Sequence, residues 1–128
     1  MRVIKASVFL WIASVLSPAL ALAECRVHVP VKEFWHDSGY SIRFDFQAVL
    51  EPKGYLEVVE ASQSDLVLMV SGQEVQGRIH RARAELSLGS LSVSAEKLCF
   101  TQWCGIQDYA AAFRKAYRLL DRRLPVCH

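Results

Sequence analysis

The chain has 128 residues, and its first 23 read as a removable export signal, which leaves 105 to fold, the size of one domain. Apolar residues make up 50 of those 105, a globular proportion that argues against a disordered or integral-membrane chain. With Arg2 and Lys5 removed, thirteen basic residues face thirteen acidic ones, and a net-neutral domain argues against nucleic acid as a partner.

Taken in chain order, Met1 to Lys5 carries two positive charges and Ala6 to Leu22 is an uncharged, apolar stretch interrupted by serines and Pro18. Ala21-Leu22-Ala23 fits the small-x-small cleavage rule, so cleavage after Ala23 is expected. The run is shorter than the ~20 apolar residues of a membrane span. Glu24 before Cys25 does not suit lipoprotein processing. The expectation is a soluble, periplasmic or secreted protein spanning residues 24–128 as one disulfide-stapled α/β domain, with no stable membrane insertion once the signal is removed.

Cys25 to Val31 alternates with Val27, Val29 and Val31 on one face, and reads as a strand. Pro30 lacks a ladder donor, which points to an edge position. An aromatic connection, Phe34 to Tyr40, follows. Over residues 41–51 two periods compete: Ile42, Phe44, Phe46, Ala48 and Leu50 alternate like a strand, whereas Ile42, Phe46, Val49 and Leu50 share a helical face. Asp37, Ser38 or Ser41 could cap such a helix, and Pro52 with Gly54 would end it. Tyr55 to Glu60 is a short strand. Leu66 to Val70 is apolar on both faces, as in a central strand covered above and below. Gly72 and Gly77 bracket a turn, and Ile79 to Leu88 alternates with Ala82, Ala84, Leu86 and Leu88 facing inward. Gly89-Ser90 suits a two-residue hairpin, from which Leu91 to Phe100 returns. Ile106 to Leu124 puts Ile106, Tyr109, Ala110, Phe113, Tyr117, Leu120 and Leu124 on one stripe of a helix stopped by Pro125. The fold class is therefore α+β: a mainly antiparallel sheet of four to five strands carrying a long C-terminal helix and one further helix.

Four cysteines in an oxidising compartment imply two disulfides. The last helix spans roughly 27 Å and separates Cys104 from Cys127, beyond the ~7 Å Cα reach of a disulfide. If that helix folds back along the preceding strand, its far end also leaves Cys99. Cys99 with Cys104 and Cys25 with Cys127 is the remaining scheme. Trp103-Cys104-Gly105 has the start of a thioredoxin redox motif but lacks its second cysteine. The cysteines and His28, His36, His80 and His128 do not form a set with the short, regular spacings of zinc sites. No metal and no cofactor are expected.

The order of helix, Lys53-Gly54-Tyr55, short strand, Ser64-Asp65-Leu66-Val67-Leu68, hairpin, amphipathic helix and Leu124-Pro125 resembles small envelope modules of Gram-negative bacteria. These include the α/β domains of curli-secretion and penicillin-binding-protein-activator lipoproteins. The resemblance covers about the last two thirds of the chain. It implies a helix over residues 41–51, before the Lys-Gly-Tyr step, and a binding or assembly role without catalysis. The chain departs from such modules in its four cysteines and in lacking a lipid-attachment signal.

Acidic residues are scattered singly, there is no Gly-x-Ser-x-Gly elbow or phosphate-cradling loop, and the histidines fall at unrelated places, so no enzyme is expected. His80 reads as a solvated strand residue. Glu24 to Gly77 carries a net −5 and Arg78 to His128 a net +5. Arg114, Lys115, Arg118, Arg122 and Arg123 read as the solvated back of the last helix, the last three also suiting its C-terminal dipole. Joined by Arg81 and Arg83 they would make a basic surface for an anionic envelope polymer or an acidic partner. Trp35 and Tyr40 in the aromatic connection, and Trp103 in the loop that Cys99 and Cys104 would close, are the other binding candidates, since rigid aromatics on stapled loops anchor partners. The expected function is a non-catalytic envelope protein that binds another envelope component. The alternative is a secreted inhibitor of a cell-wall hydrolase such as lysozyme, with the loop near Trp103 plugging the target's cleft.

Overall fold

The computed structural model describes residues 25–100 and 103–127; the signal expected over residues 1–23 lies outside them. Seven strands and two α-helices follow in order: β1 (Arg26–His28), β2 (Glu33–Trp35), β3 (Ser41–Arg43), α1 (Phe46–Val49), β4 (Leu56–Glu57), β5 (Leu66–Val75), β6 (Arg81–Leu88), β7 (Leu91–Leu98) and α2 (Ile106–Arg123). The main sheet runs β4-β1-β5-β6-β7, and β2 with β3 forms a separate hairpin. β5, β6 and β7 are antiparallel, while β1 pairs in parallel with both β4 and β5. The architecture is α+β with a mostly antiparallel sheet.

The β5-β6-β7 meander carries the clearest pattern. Ala82, Ala84, Leu86 and Leu88 are all buried, and Gly89-Ser90 closes the β6–β7 turn with Gly89 at φ +60°, the positive angle that a two-residue hairpin requires. α2 packs across β6 and β7. Ala112 and Ala116 on the helix and Ala82 and Ala84 on the sheet bring the two backbones close, and Phe113, Leu120, Leu68 and Leu86 fill the remaining space, fully buried. The hairpin covers what α2 leaves open: the Phe34 ring lies 4.8 Å from that of Tyr109 and 5.5 Å from that of Phe113, and Phe44 meets Tyr117 edge-on at 5.4 Å.

The Lys53-Gly54-Tyr55 step anchors the C-terminal segment. The Lys53 ammonium donates to the carbonyls of Asp121 and Leu124 at the end of α2, and the Tyr55 hydroxyl donates to the Pro125 carbonyl at 2.9 Å. The Cys127 amide donates to the Lys53 carbonyl at 2.7 Å. Both expected disulfides are present: Cys25–Cys127, Cα atoms 5.9 Å apart, and Cys99–Cys104, 5.2 Å apart.

Four expectations are corrected. β1 is an interior strand, because it ends at His28 and Pro30 lies beyond its ladder. Residues 41–51 are not one helix: Ser41–Arg43 pairs with Glu33–Trp35, and only Phe46–Val49 is α-helical, capped by Asp45, whose carboxylate accepts the Ala48 amide at 3.2 Å, rather than by Asp37, Ser38 or Ser41. Gly72 lies inside β5, not at a turn. β5 is central but covered on one face only, since α2 and the hairpin occupy one side of the sheet and leave Val67 and Met69 exposed on the other.

Candidate functional site at the aromatic pole

Three segments that are distant in sequence converge at one end of the molecule. His36, just past β2, donates from Nε2 to the Cys104 carbonyl at 2.9 Å, while its Nδ1 accepts from the Ser38 amide at 3.1 Å. These bonds fix its tautomer and tie the hairpin tip to the disulfide loop. Glu74, near the end of β5, accepts the Cys104 amide at 2.9 Å through one carboxylate oxygen, and the other lies 3.0 Å from His80 Nδ1. At the start of α2 the Asp108 carboxylate accepts the Gly105 amide at 2.9 Å. The backbone at Cys104 and Gly105, next to Trp103, is thus held from three sides as well as by the Cys99–Cys104 disulfide.

On this frame stand large aromatic side chains facing solvent: Trp35 is 63% exposed, Tyr40 66%, Trp103 66% and Phe100 90%. They border two clefts that meet at Trp103. One, of about 590 Å³, lies between Trp35 and Trp103 and is floored by Tyr109, with His36, Asp37 and Glu74 in its wall. The other, of about 570 Å³, lies between Tyr40, Phe100 and Trp103 and reaches Gln107 and Asp108. A further cleft of about 520 Å³ beside Lys32, Arg43 and Asp45 is structural in character. There Lys32 pairs with Glu57, Arg43 approaches Glu33 at 3.8 Å, and Asp45 caps α1.

The electrostatics of the pole are acidic. The Cys104 amide, followed by His80, holds the Glu74 carboxyl below its ordinary range, so it stays ionised. Burial, with added repulsion from Glu74, Asp37 and Asp108, raises the Tyr109 phenol. Neither cleft bordering Trp103 has a lysine or arginine among its described lining residues. Compared with protein-family models, curated proteins and solved structures, the chain gives no match.

The structure unites Trp35, Tyr40 and Trp103 but sets Arg81 and Arg83 apart from the basic helix. Strand alternation turns Ala82 and Ala84 toward the core and Arg81 and Arg83 to the opposite face, with the sheet between them and α2. There Arg81 pairs with Glu96 at 3.0 Å, and Arg83 with Glu85 at 2.7 Å and Glu96 at 3.3 Å. The joined basic surface that the sequence offered beside a solvated helix back is not formed. His80 is hydrogen-bonded to Glu74 through Nδ1 and not merely solvated. Sequence reasoning passed over Phe100 and Glu74. Continuing the alternation of Leu68 and Val70 through Gly72 would have turned Glu74 inward; nothing in the pattern marks Phe100. Among the described residues no three His, Cys, Asp or Glu side chains converge as metal ligands, and no helix is long and apolar enough to cross a membrane.

Proposed function

We propose that this is a non-catalytic, exported protein of the periplasm that binds another envelope component through the aromatic pole. One observation carries the reading: exposed aromatic side chains from two separate connections border adjoining clefts on a backbone fixed by a disulfide, His36 and Glu74. Rigid aromatic anchors lose little conformational entropy on docking, which suits them to the centre of an interface. His36, Glu74 and Asp108 beside the clefts are engaged in holding backbone, which favours a binding role over a chemical one. The resemblance of the Lys53-Gly54-Tyr55 and Ser64-Asp65-Leu66 steps to envelope modules supports the same assignment.

A photo-crosslinking side chain placed at Tyr40, and separately at Ser94 on the sheet face away from α2, tests the reading in cells of the native host. Adducts from position 40 and none from position 94 are expected. Equal labelling, or labelling from position 94 alone, removes the pole from consideration.

A second reading rests on the exposure of Trp103 on a disulfide-closed loop: insertion of that loop into the cleft of a cell-wall hydrolase. Inhibition of a lysozyme-type enzyme, reduced at least tenfold by Trp103→Ala with folding intact, is its expected signature in a turbidity assay of cell-wall lysis. An uninhibited enzyme dismisses it.

A further inference from the structure

A contact beside the second of the two clefts at Trp103 indicates what the first of them takes. Against two residues that line the second cleft the protein holds a cation of its own: the Lys97 ammonium stands 4.8 Å from the Phe100 ring centroid and 3.7 Å from the Asp108 carboxylate. Aromatic face and carboxylate act together there, because the ring quadrupole and the anion attract the same charge. The first cleft repeats the ingredients, with the Trp35 and Trp103 rings at its border and the Asp37 carboxylate in its wall beside Glu74, whose two oxygens already meet the Cys104 amide and His80; like the second, it has no lysine or arginine among its described lining residues. Asp37 is exposed at the hairpin tip.

The charge pattern of the whole chain points the same way. The hairpin and β5 come from the half with a net −5, whereas the basic residues of α2 begin at Arg114. That residue is eight positions from Ile106, about 12 Å along the helix axis at 1.5 Å per residue. An anionic polymer would be repelled by this cleft. An uncharged glycan could stack on the indoles but would gain nothing from two carboxylates whose negative potential it cannot neutralise.

We infer that the cleft between Trp35 and Trp103 receives a lysine or arginine side chain presented by a partner protein. The inference rests on the aromatic pole being the docking surface and adds the chemistry of what docks there. The cation lies against the indole faces with Asp37 closing over it, and the partner's neighbouring residues meet Tyr40 and Phe100 across Trp103. Partners of the pole are thus proteins with an exposed basic segment, and acidic envelope polymers are excluded from it.

The test uses protein exported to and purified from the periplasm of an expression host, with the indole N–H signals of Trp35 and Trp103 as reporters. End-blocked pentalysine is the probe, and pentaglutamate, chitotetraose and phosphatidylglycerol vesicles are the comparisons. Pentalysine should shift both indole signals. Asp37→Asn should weaken that binding at least threefold, Asp121→Asn at the far end of α2 should not alter it, and salt should weaken it further. The inference is overturned if pentalysine leaves the indoles unmoved, if Asp37→Asn binds it unchanged, or if any comparison ligand shifts them more. Adducts from position 40 combined with silent indoles would refute the cation alone, whereas loss of both signals would refute the pole as well.

Discussion

Gly54 is held by two independent demands. Its backbone sits at φ +90°, where an L side chain is strained, and a Cβ there would run into the Cys127 carbonyl. Gly54→Ala should therefore cost about 1–3 kcal/mol, read as a lower urea midpoint, with the C-terminal segment loosening first. At Gly72 the demand is space alone: a Cβ would approach Phe34 Cε1 to 2.7 Å. Gly72→Ala should displace the Phe34 ring from Tyr109 and Phe113, costing about 1–3 kcal/mol by the same measurement and shifting the Trp35 indole signal. Tyr117 gives the opposite sign. Its hydroxyl is buried with no hydrogen-bond partner among the described residues, and burial pushes its pKa up to about 12. Tyr117→Phe removes the orphaned group and keeps the edge contact with Phe44, so it should leave stability unchanged or raise it by about 1 kcal/mol.

At the scale of elements, legibility in the sequence followed the length of the periodic run. β6, β7 and α2 extend over eight to eighteen residues with an apolar face, and the β6–β7 hairpin, the inward face of β6 and the stop of α2 were readable, whereas in β5 the apolar run hid an exposed face and Gly72 passed for a turn. Residues 41–51 were not, because a three-residue strand and a one-turn helix abut there and each contributes only a fragment of its own period. Their conformations are decided by what they touch: Ser41–Arg43 by pairing with Glu33–Trp35, and Phe46 by burial. The candidate site divides similarly. Trp35, Tyr40 and Trp103 stood out by residue type, but their assembly depends on His36 and Glu74 reaching Cys104 across 68 and 30 positions, which no local pattern encodes.

Those long-range bonds make the junctions between elements sensitive to acid. Glu74 is held below its ordinary value of 4.5 chiefly by the Cys104 amide, and Asp65 below 3.8 chiefly by the Arg26 guanidinium, which joins β1 to β5. A carboxylate lowered in the folded state contributes stability that is complete above its unfolded pKa and lost as pH falls through the folded one. Urea midpoints should hold steady above about pH 5 and decline progressively below about pH 4, and the Glu74→Gln/Asp65→Asn variant should decline less over that interval.

Over the whole molecule, the two disulfides do different work. Cys25–Cys127 encloses nearly all of the core and restricts the unfolded chain, so replacing both residues by serine should cost about 2–5 kcal/mol in denaturant unfolding. Cys99–Cys104 closes a separation of five residues, where the entropic gain is small. Its replacement by serines should leave the urea midpoint nearly in place and instead speed amide exchange at positions 104 and 105, loosening the aromatic pole.

The bridge between Cys25 and Cys127 also turns residues 25–127 into a covalent ring whose two outlets emerge side by side. A stretching load applied through these outlets travels across sulfur and bypasses both the sheet and the helix. Such a domain can be strung between other modules or tethered under tension while its far pole keeps its shape. In an optical trap it should lengthen by an unfolding step only after a reductant has opened the ring.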